Sequence, residues 1–155
     1  MEKIIISDTT CLIILSKIAA LNLLKSLFST VTITPEVQQE FGNPLPDWII
    51  LETSTNKHQL SALKLILDDG EASAIALCLE TPNCLLIIDE RKGRKVAQNL
   101  QIPTIGTLGI LLEAKNRGFL ENIRPFVDKI QQTDFRISKE LLNAVLIKAG
   151  EPALI

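Results

Sequence analysis

Two apolar runs in this chain stop on an aspartate: Lys3-Ile4-Ile5-Ile6-Ser7-Asp8 and Leu85-Leu86-Ile87-Ile88-Asp89. Each reads as a parallel strand buried on both faces, and open α/β sheets place their ligand sites beyond the C-terminal ends of such strands. Asp8 and Asp89 thus arrive where ligands bind, and a pocket built this way is acidic. Glu40 is a third candidate because it lies near the C-terminal end of a short helix, where the macrodipole disfavours negative charge by roughly 0.3–1 kcal/mol. A charge set against its local preference without evident gain points to function. Glu71 follows Gly70 in the first turn of another helix, and Ala72, Ala74 and Ala76 let that helix approach the sheet closely.

Each acid also has a purely structural reading. Asp8 and Asp89 can cap the helices that follow their strands, Glu71 is electrostatically welcome in a first turn, and Glu40 can be a solvated surface residue. Two aspartates at strand ends favour a shared site over two unrelated caps. Glu36, one turn before Glu40, occupies the favoured first turn and is read as structural.

Carboxylates gathered without histidine or thiolate are hard oxygen ligands, suited to Mg²⁺ or Mn²⁺ and poor for zinc. One or two such ions can activate a water and neutralise a phosphate. With no ion, like charges ~4 Å apart repel by roughly 4 kcal/mol at an effective dielectric near 20. Arg91, Lys92, Arg94 and Lys95 begin just after Asp89 and can hold a phosphate backbone. The alternative is a solvated helix face in which Glu90 and Arg94 form an i,i+4 pair.

At 155 residues, 46% of them hydrophobic, the chain reads as one domain over 1–155 with helices from about residue 123 packed on it. Its apolar stretches fall short of a membrane span and no secretory leader is evident, so the expected location is cytoplasmic, with no membrane partner. The net charge of −2 excludes a globally basic nucleic-acid coat but not a local basic patch. Cys11, Cys78 and Cys84 lie in or beside apolar segments without C-x-x-C spacing, which reads as buried reduced thiols. The one histidine, His58, falls in an amphipathic helix far from the acids, and Trp48 reads as a core or edge-packing residue.

Strands and helices must alternate to position the acids. After the first strand, helices are expected over Thr9 to Lys17 and Ala20 to Phe28, then a strand at Val31 to Ile33. Thr34 caps a helix that has Pro35 at its first position and stops at Gly42. A strand from Trp48 to Leu51 and a helix from Asn56 to Leu67 follow, the latter ending at Asp68-Asp69-Gly70. The Glu71 helix, the strand Leu85 to Ile88 and a helix from Glu90 to Leu100 come next. The chain closes with a strand at Ile102 to Ile105, a helix from Leu108 to Arg117, and two helices at Ile123 to Gln132 and Ser138 to Ala149. The order predicts an α/β fold with a mainly parallel sheet.

Four segments, Ile5-Ile6-Ser7-Asp8-Thr9-Thr10, Pro35-Glu36-Val37-Gln38-Gln39-Glu40-Phe41, Gly70-Glu71-Ala72-Ser73-Ala74-Ile75-Ala76 and Leu86-Ile87-Ile88-Asp89-Glu90, fall in the order and spacing of PIN-domain nucleases. Ile105-Gly106-Thr107-Leu108-Gly109 extends the likeness, and the chain resembles this family, which includes the VapC-type toxins. The resemblance implies a three-layer α/β/α PIN-like fold and a metal-dependent ribonuclease, the toxin of a toxin–antitoxin pair. It implies Asp8, Glu40, Glu71 and Asp89 as catalytic metal ligands for Mg²⁺ or Mn²⁺, and Thr9, Thr10 and Thr107 beside the metal or phosphate. RNA as substrate, an antitoxin protein and a homodimer are the implied partners. Glu90-Arg91-Lys92-Gly93-Arg94-Lys95 replaces the Asp-x-aromatic ending familiar in the toxins, so the chain looks more like a less characterised branch of the family.

Two other classes compete. A catalytically idle binding module would have no need of all four acids. A phosphatase or phosphoacceptor domain also puts aspartates at strand ends, but Asp8-Thr9-Thr10 lacks the second aspartate of D-x-D, and neither G-x-G-x-x-G nor a P-loop occurs.

Overall fold

A computed structural model describes residues 3–155. β1 (Ile4–Ser7) leads into α1 (Thr9–Lys17) and α2 (Asn22–Phe28), then β2 (Val31–Ile33), α3 (Pro35–Phe41) and β3 (Ile49–Leu51). After α4 (Lys57–Lys64) and α5 (Asp69–Leu79), the chain forms β4 (Cys84–Ile87), α6 (Arg91–Asn99) and β5 (Thr104–Ile105). α7 (Thr107–Asn116), α8 (Arg124–Gln131) and α9 (Lys139–Lys148) complete it. The five strands run in the order β3-β2-β1-β4-β5, and every pairing is parallel. The chain therefore winds outward from β1 to β3, returns to the other side of β1 and continues to β5. This reversal makes the β1/β4 junction the topological switch point, where a crevice opens beyond the strand ends.

β1 and β4 pair in register from Ile4 with Cys84 to Ser7 with Ile87. Alternation along them feeds two cores. Ile5 and Ile87 face α1, α2, α3 and the α7–α9 group, while Ile6, Leu86 and Ile88 face α4, α5 and α6. The result is the three-layer α/β/α arrangement that the resemblance implies. Val127, Ile130, Leu142, Val145 and Leu146 join the first core, so α8 and α9 pack on it directly. Trp48 is buried in the same cluster, whereas His58 is exposed.

Local capping sets several helix boundaries. Thr34, Asn56, Asp68 and Ser138 each accept a backbone N–H from the first turn that follows. Gly42 and Gly150 end their helices at φ +72° and +77°, where a Cβ would be strained. Several boundaries depart from the sequence expectation. The stretch Asn56 to Leu67 is not one helix: α4 stops at Lys64. Asp68-Asp69-Gly70 then starts α5 and does not merely end what precedes it, because Asp68 captures the Glu71 N–H at 2.9 Å. The strands expected from Trp48 and from Ile102 are shorter, and the one expected over Leu85 to Ile88 is shifted one residue toward the N-terminus, as β3, β4 and β5 cover only residues that find ladder partners. Among the described residues, no single helix is long and apolar enough to cross a membrane.

Leu86 is fully buried between α5, α6 and β1. Leu86→Ala should cost about 2–5 kcal/mol through lost transfer energy and a residual cavity. Urea unfolding followed by circular dichroism checks this, and a loss under about 1 kcal/mol would mean that the second core collapses around the gap.

Candidate functional site

Asp8 stands at the switch point with no exposed surface. Its Oδ1 accepts the Cys11 N–H at 3.1 Å, so it caps α1, and its Oδ2 accepts the Asp89 N–H at 3.1 Å. Asp8 thus joins two structural tasks: the cap of one helix is also the clasp between the ends of β1 and β4. Asp89 does not cap its own helix. Its Oδ1 accepts the Thr107 N–H at 2.8 Å and its Oδ2 accepts the Thr107 hydroxyl at 2.6 Å, which satisfies the first turn of α7.

Glu40 lies at the C-terminal end of α3 but is folded against the N-terminal turn of α5. A Cβ on Gly70 would stand 2.2 Å from Glu40 Oε1, so only glycine admits the carboxylate here. Burial raises the Glu40 pKa and the nearby Asp68 adds to the rise, while the Gly70 N–H favours the charged form. The unfavourable end of one helix is therefore offset by the favourable start of another. Thr9 Oγ1 is buried beside Glu40, close enough to favour its charge but without completing a hydrogen bond. Ser73 donates to the Gly70 carbonyl at 2.8 Å, so the 2.6 Å bond between Ser73 and Thr34 has Thr34 as its donor, tying the start of α3 to α5.

Glu71 is buried, and Gly93 on α6 packs over it: a Cβ there would lie 3.1 Å from Glu71 Oε2. Carboxylate oxygens of Asp68, Glu71 and Glu90 all lie within 4.8 Å of one another, in an arrangement able to hold a cation. Asp68 and Glu90 were not singled out in the sequence, and both are functional candidates by position. Their signal in the sequence is carboxylate density, Asp68-Asp69-Gly70-Glu71 and Asp89-Glu90, which by itself reads as a helix stop and a surface pair. Among the described residues Glu90 makes no ion pair with Arg94. Glu90 turns toward Glu71, and Arg94 approaches Asp89 across Gly106. Glu36 instead pairs with Lys64 at 3.3 Å, as suits a structural residue.

The acids act on one another. Burial and the Asp89 charge push the Asp8 carboxyl up to about 7, and burial also raises Asp89, with the Thr107 donors and Arg94 opposing. Burial, then Asp68 and Glu90, push Glu71 up to about 8, and Asp8 adds to it. All four acids expected from the sequence are thus brought to one edge of the sheet. Cys11 lies behind them, its thiol pushed up by burial and by Asp89 and Asp8.

Beside Asp89 and Glu90 opens a cleft of about 810 Å³ between the β5–α7 region and the segment from Phe135 to Lys148. Thr10, Arg94, Arg136 and Lys148 line it with an apolar wall that includes Leu108, Leu112 and Val145. Of the basic run after Asp89 only Arg94 lines this cleft, while Arg91, Lys92 and Lys95 are exposed on α6.

A switch-point crevice ringed by acids narrows the possibilities, and a family model described as PIN domain matches residues 4–151. The chain belongs to the PIN-domain family. Neither the curated proteins nor the solved structures give a match. PIN domains are generally nucleases that typically use divalent metals, and the acidic cluster of this PIN domain fits that chemistry.

For Asp8 and Glu71 the folded state holds a proton more tightly than the unfolded chain, whose values lie near 3.8 and 4.5. Their contribution to stability is complete below about pH 4 and is lost as pH rises through about 7 to 8. In chelator-treated protein the melting temperature should fall across that window, and Glu71→Gln should flatten the fall. A wild-type melting temperature that climbs between pH 5 and pH 8, or a variant with an unchanged slope, would contradict this.

Proposed function

We propose that this PIN domain is a Mg²⁺- or Mn²⁺-dependent endoribonuclease and the toxin member of a toxin–antitoxin pair. The observation that carries the nuclease reading is the meeting of Asp8, Glu40, Glu71 and Asp89, with Asp68 and Glu90, at the β1/β4 switch point. The donor set fits a hard divalent ion: every candidate ligand is a carboxylate or hydroxyl oxygen, none is an imidazole, and the Cys11 thiol is held protonated. Asp68, Glu71 and Glu90 would hold such an ion on one side and Asp8 and Asp89 on the other. A bound ion supplies water activation and neutralises charge on the scissile phosphate.

The protein supplies position. Asp8 and Asp89 are fixed by backbone and Thr107 donors, so their carboxylates do not rotate when a substrate arrives. Arg94, beside Asp89 and lining the cleft, is placed to meet a phosphate held at the acids. Arg136 and Lys148 continue a basic path along the cleft for a single strand. The toxin role rests on the VapC-like order of motifs. The apolar cleft wall beside the acids offers a seat for an antitoxin segment, and a homodimer completes the proposed assembly.

Asp89→Asn tests the chemistry with the least disturbance, because the Thr107 hydroxyl can turn from donor to acceptor and meet the new amide. Asp8→Asn is harsher: its amide NH₂ must face either the Cys11 or the Asp89 N–H. Asp89→Asn should keep its circular dichroism spectrum and lose at least about 100-fold in cleavage of structured RNAs with Mg²⁺ or Mn²⁺, the order expected when a charge-stabilising group is removed. EDTA should abolish wild-type cleavage. Full activity in either case would sink the metal-dependent mechanism at these acids.

The path is tested by RNA affinity against salt in the Asp89→Asn background. Arg136→Ala with Lys148→Ala should lower the salt slope by about 1.4, two single-strand phosphate contacts at ~0.7 each. Arg91→Ala with Lys92→Ala, off the cleft, should change it little; the reverse pattern would move the RNA onto α6.

A further inference from the structure

Cys78 and Cys84 lie at the opposite end of their elements from the acids. Cys78 is near the C-terminal end of α5, whose first turn carries Glu71, and Cys84 opens β4, which leads to Asp89. Their sulfurs lie 2.7 Å apart. Both are free thiols, only 4% and 8% exposed. Between them run Leu79, Glu80, Thr81, Pro82 and Asn83, a short turn in which Glu80, Pro82 and Asn83 are exposed.

We propose that Cys78 and Cys84 are a redox modification site that closes to a reversible disulfide by exchange with a low-molecular-weight disulfide. Three observations carry it. The sulfurs need only close from 2.7 Å to roughly 2.05 Å, without moving one element past another. The exposed turn that joins them gives an oxidant a way in. The pair is also chemically distinct from Cys11, which has no exposed surface and sits against Asp8 and Asp89, where a thiolate is disfavoured. Within the pair Cys84 is the more exposed, so Cys84 is the attacking sulfur and Cys78 the resolving one.

The Cys84 thiolate attacks one sulfur of the small disulfide, whose S–S bond breaks and releases a thiolate that takes a proton from solvent. Cys78 gives its proton to solvent, attacks Cys84 Sγ and expels the second small thiolate. Two protein thiols are oxidised and one small disulfide is reduced to two thiols. The product bond pins the back of α5 to the back of β4, the two elements whose front ends carry Glu71 and Asp89.

The full chain is equilibrated with mixtures of reduced and oxidised glutathione, acid-quenched, denatured and analysed for thiols, intact mass and non-reduced peptides. Titratable thiols should fall from three to one. The mass should drop by two hydrogens, one peptide should link Cys78 to Cys84, and dithiothreitol should restore all three thiols. Cys78→Ser should instead trap glutathione on Cys84. Three thiols surviving fully oxidised glutathione, a link through Cys11, or a lasting glutathione adduct on wild-type Cys84 would each overturn the proposal. If Cys78→Ser fails to fold, the wild-type peptide map decides alone.

Discussion

The structure depends on keeping several carboxylates close together and mostly out of water. Buried like charges repel, and desolvation further disfavours their charged forms. The protein answers with fixed donors. Asp8 takes one N–H from α1 and one from Asp89, and Asp89 takes the Thr107 N–H and hydroxyl. These bonds are also what joins the elements, since the two aspartates connect β1, β4, α1 and α7. The arrangement that strains the site electrostatically is the one that aligns the central strands.

Helix placement follows the same constraint. α5 aims its first turn at the acidic edge, and Glu40 and Asp68 both lie against that turn, where N–H groups point outward. Close approach requires small residues. Gly70 admits Glu40, Gly93 admits Glu71 beneath α6, and Gly106 leaves room for Arg94 beside Asp89. Each would bring a Cβ within about 3 Å of a neighbouring side chain if replaced. The glycines near the site therefore serve packing around charge, unlike Gly42 and Gly150, which serve helix ends.

Two features of this PIN domain lie away from the acids. The cleft toward Phe135 and Lys148 joins a basic path to an apolar wall, so one surface can present phosphate-binding groups and a seat for side chains. The Cys78–Cys84 contact ties the rear of the same two elements that deliver acids at the front. α5 and β4 are thus fixed at both ends by polar or sulfur contacts, with apolar packing between.

Sequence alone determined the alternation of strands and helices, the buried strands ending at Asp8 and Asp89, and the caps at Thr34 and Ser138. These are local matters of periodicity and of which side chain can reach the next turn's N–H. It also picked out Glu40, through its conflict with its own helix dipole, and Glu71, through the small residues after it. Only the tertiary structure decided that Asp68 and Glu90 belong with Glu71, and that Asp89 caps α7 instead of its own helix. It likewise separated Arg94 from its basic neighbours and placed Cys78 against Cys84. The physical reason is common to all four. A side chain's partner across the sheet is set by strand order and helix approach, and an i,i+4 spacing or a run of like charges carries no information about either.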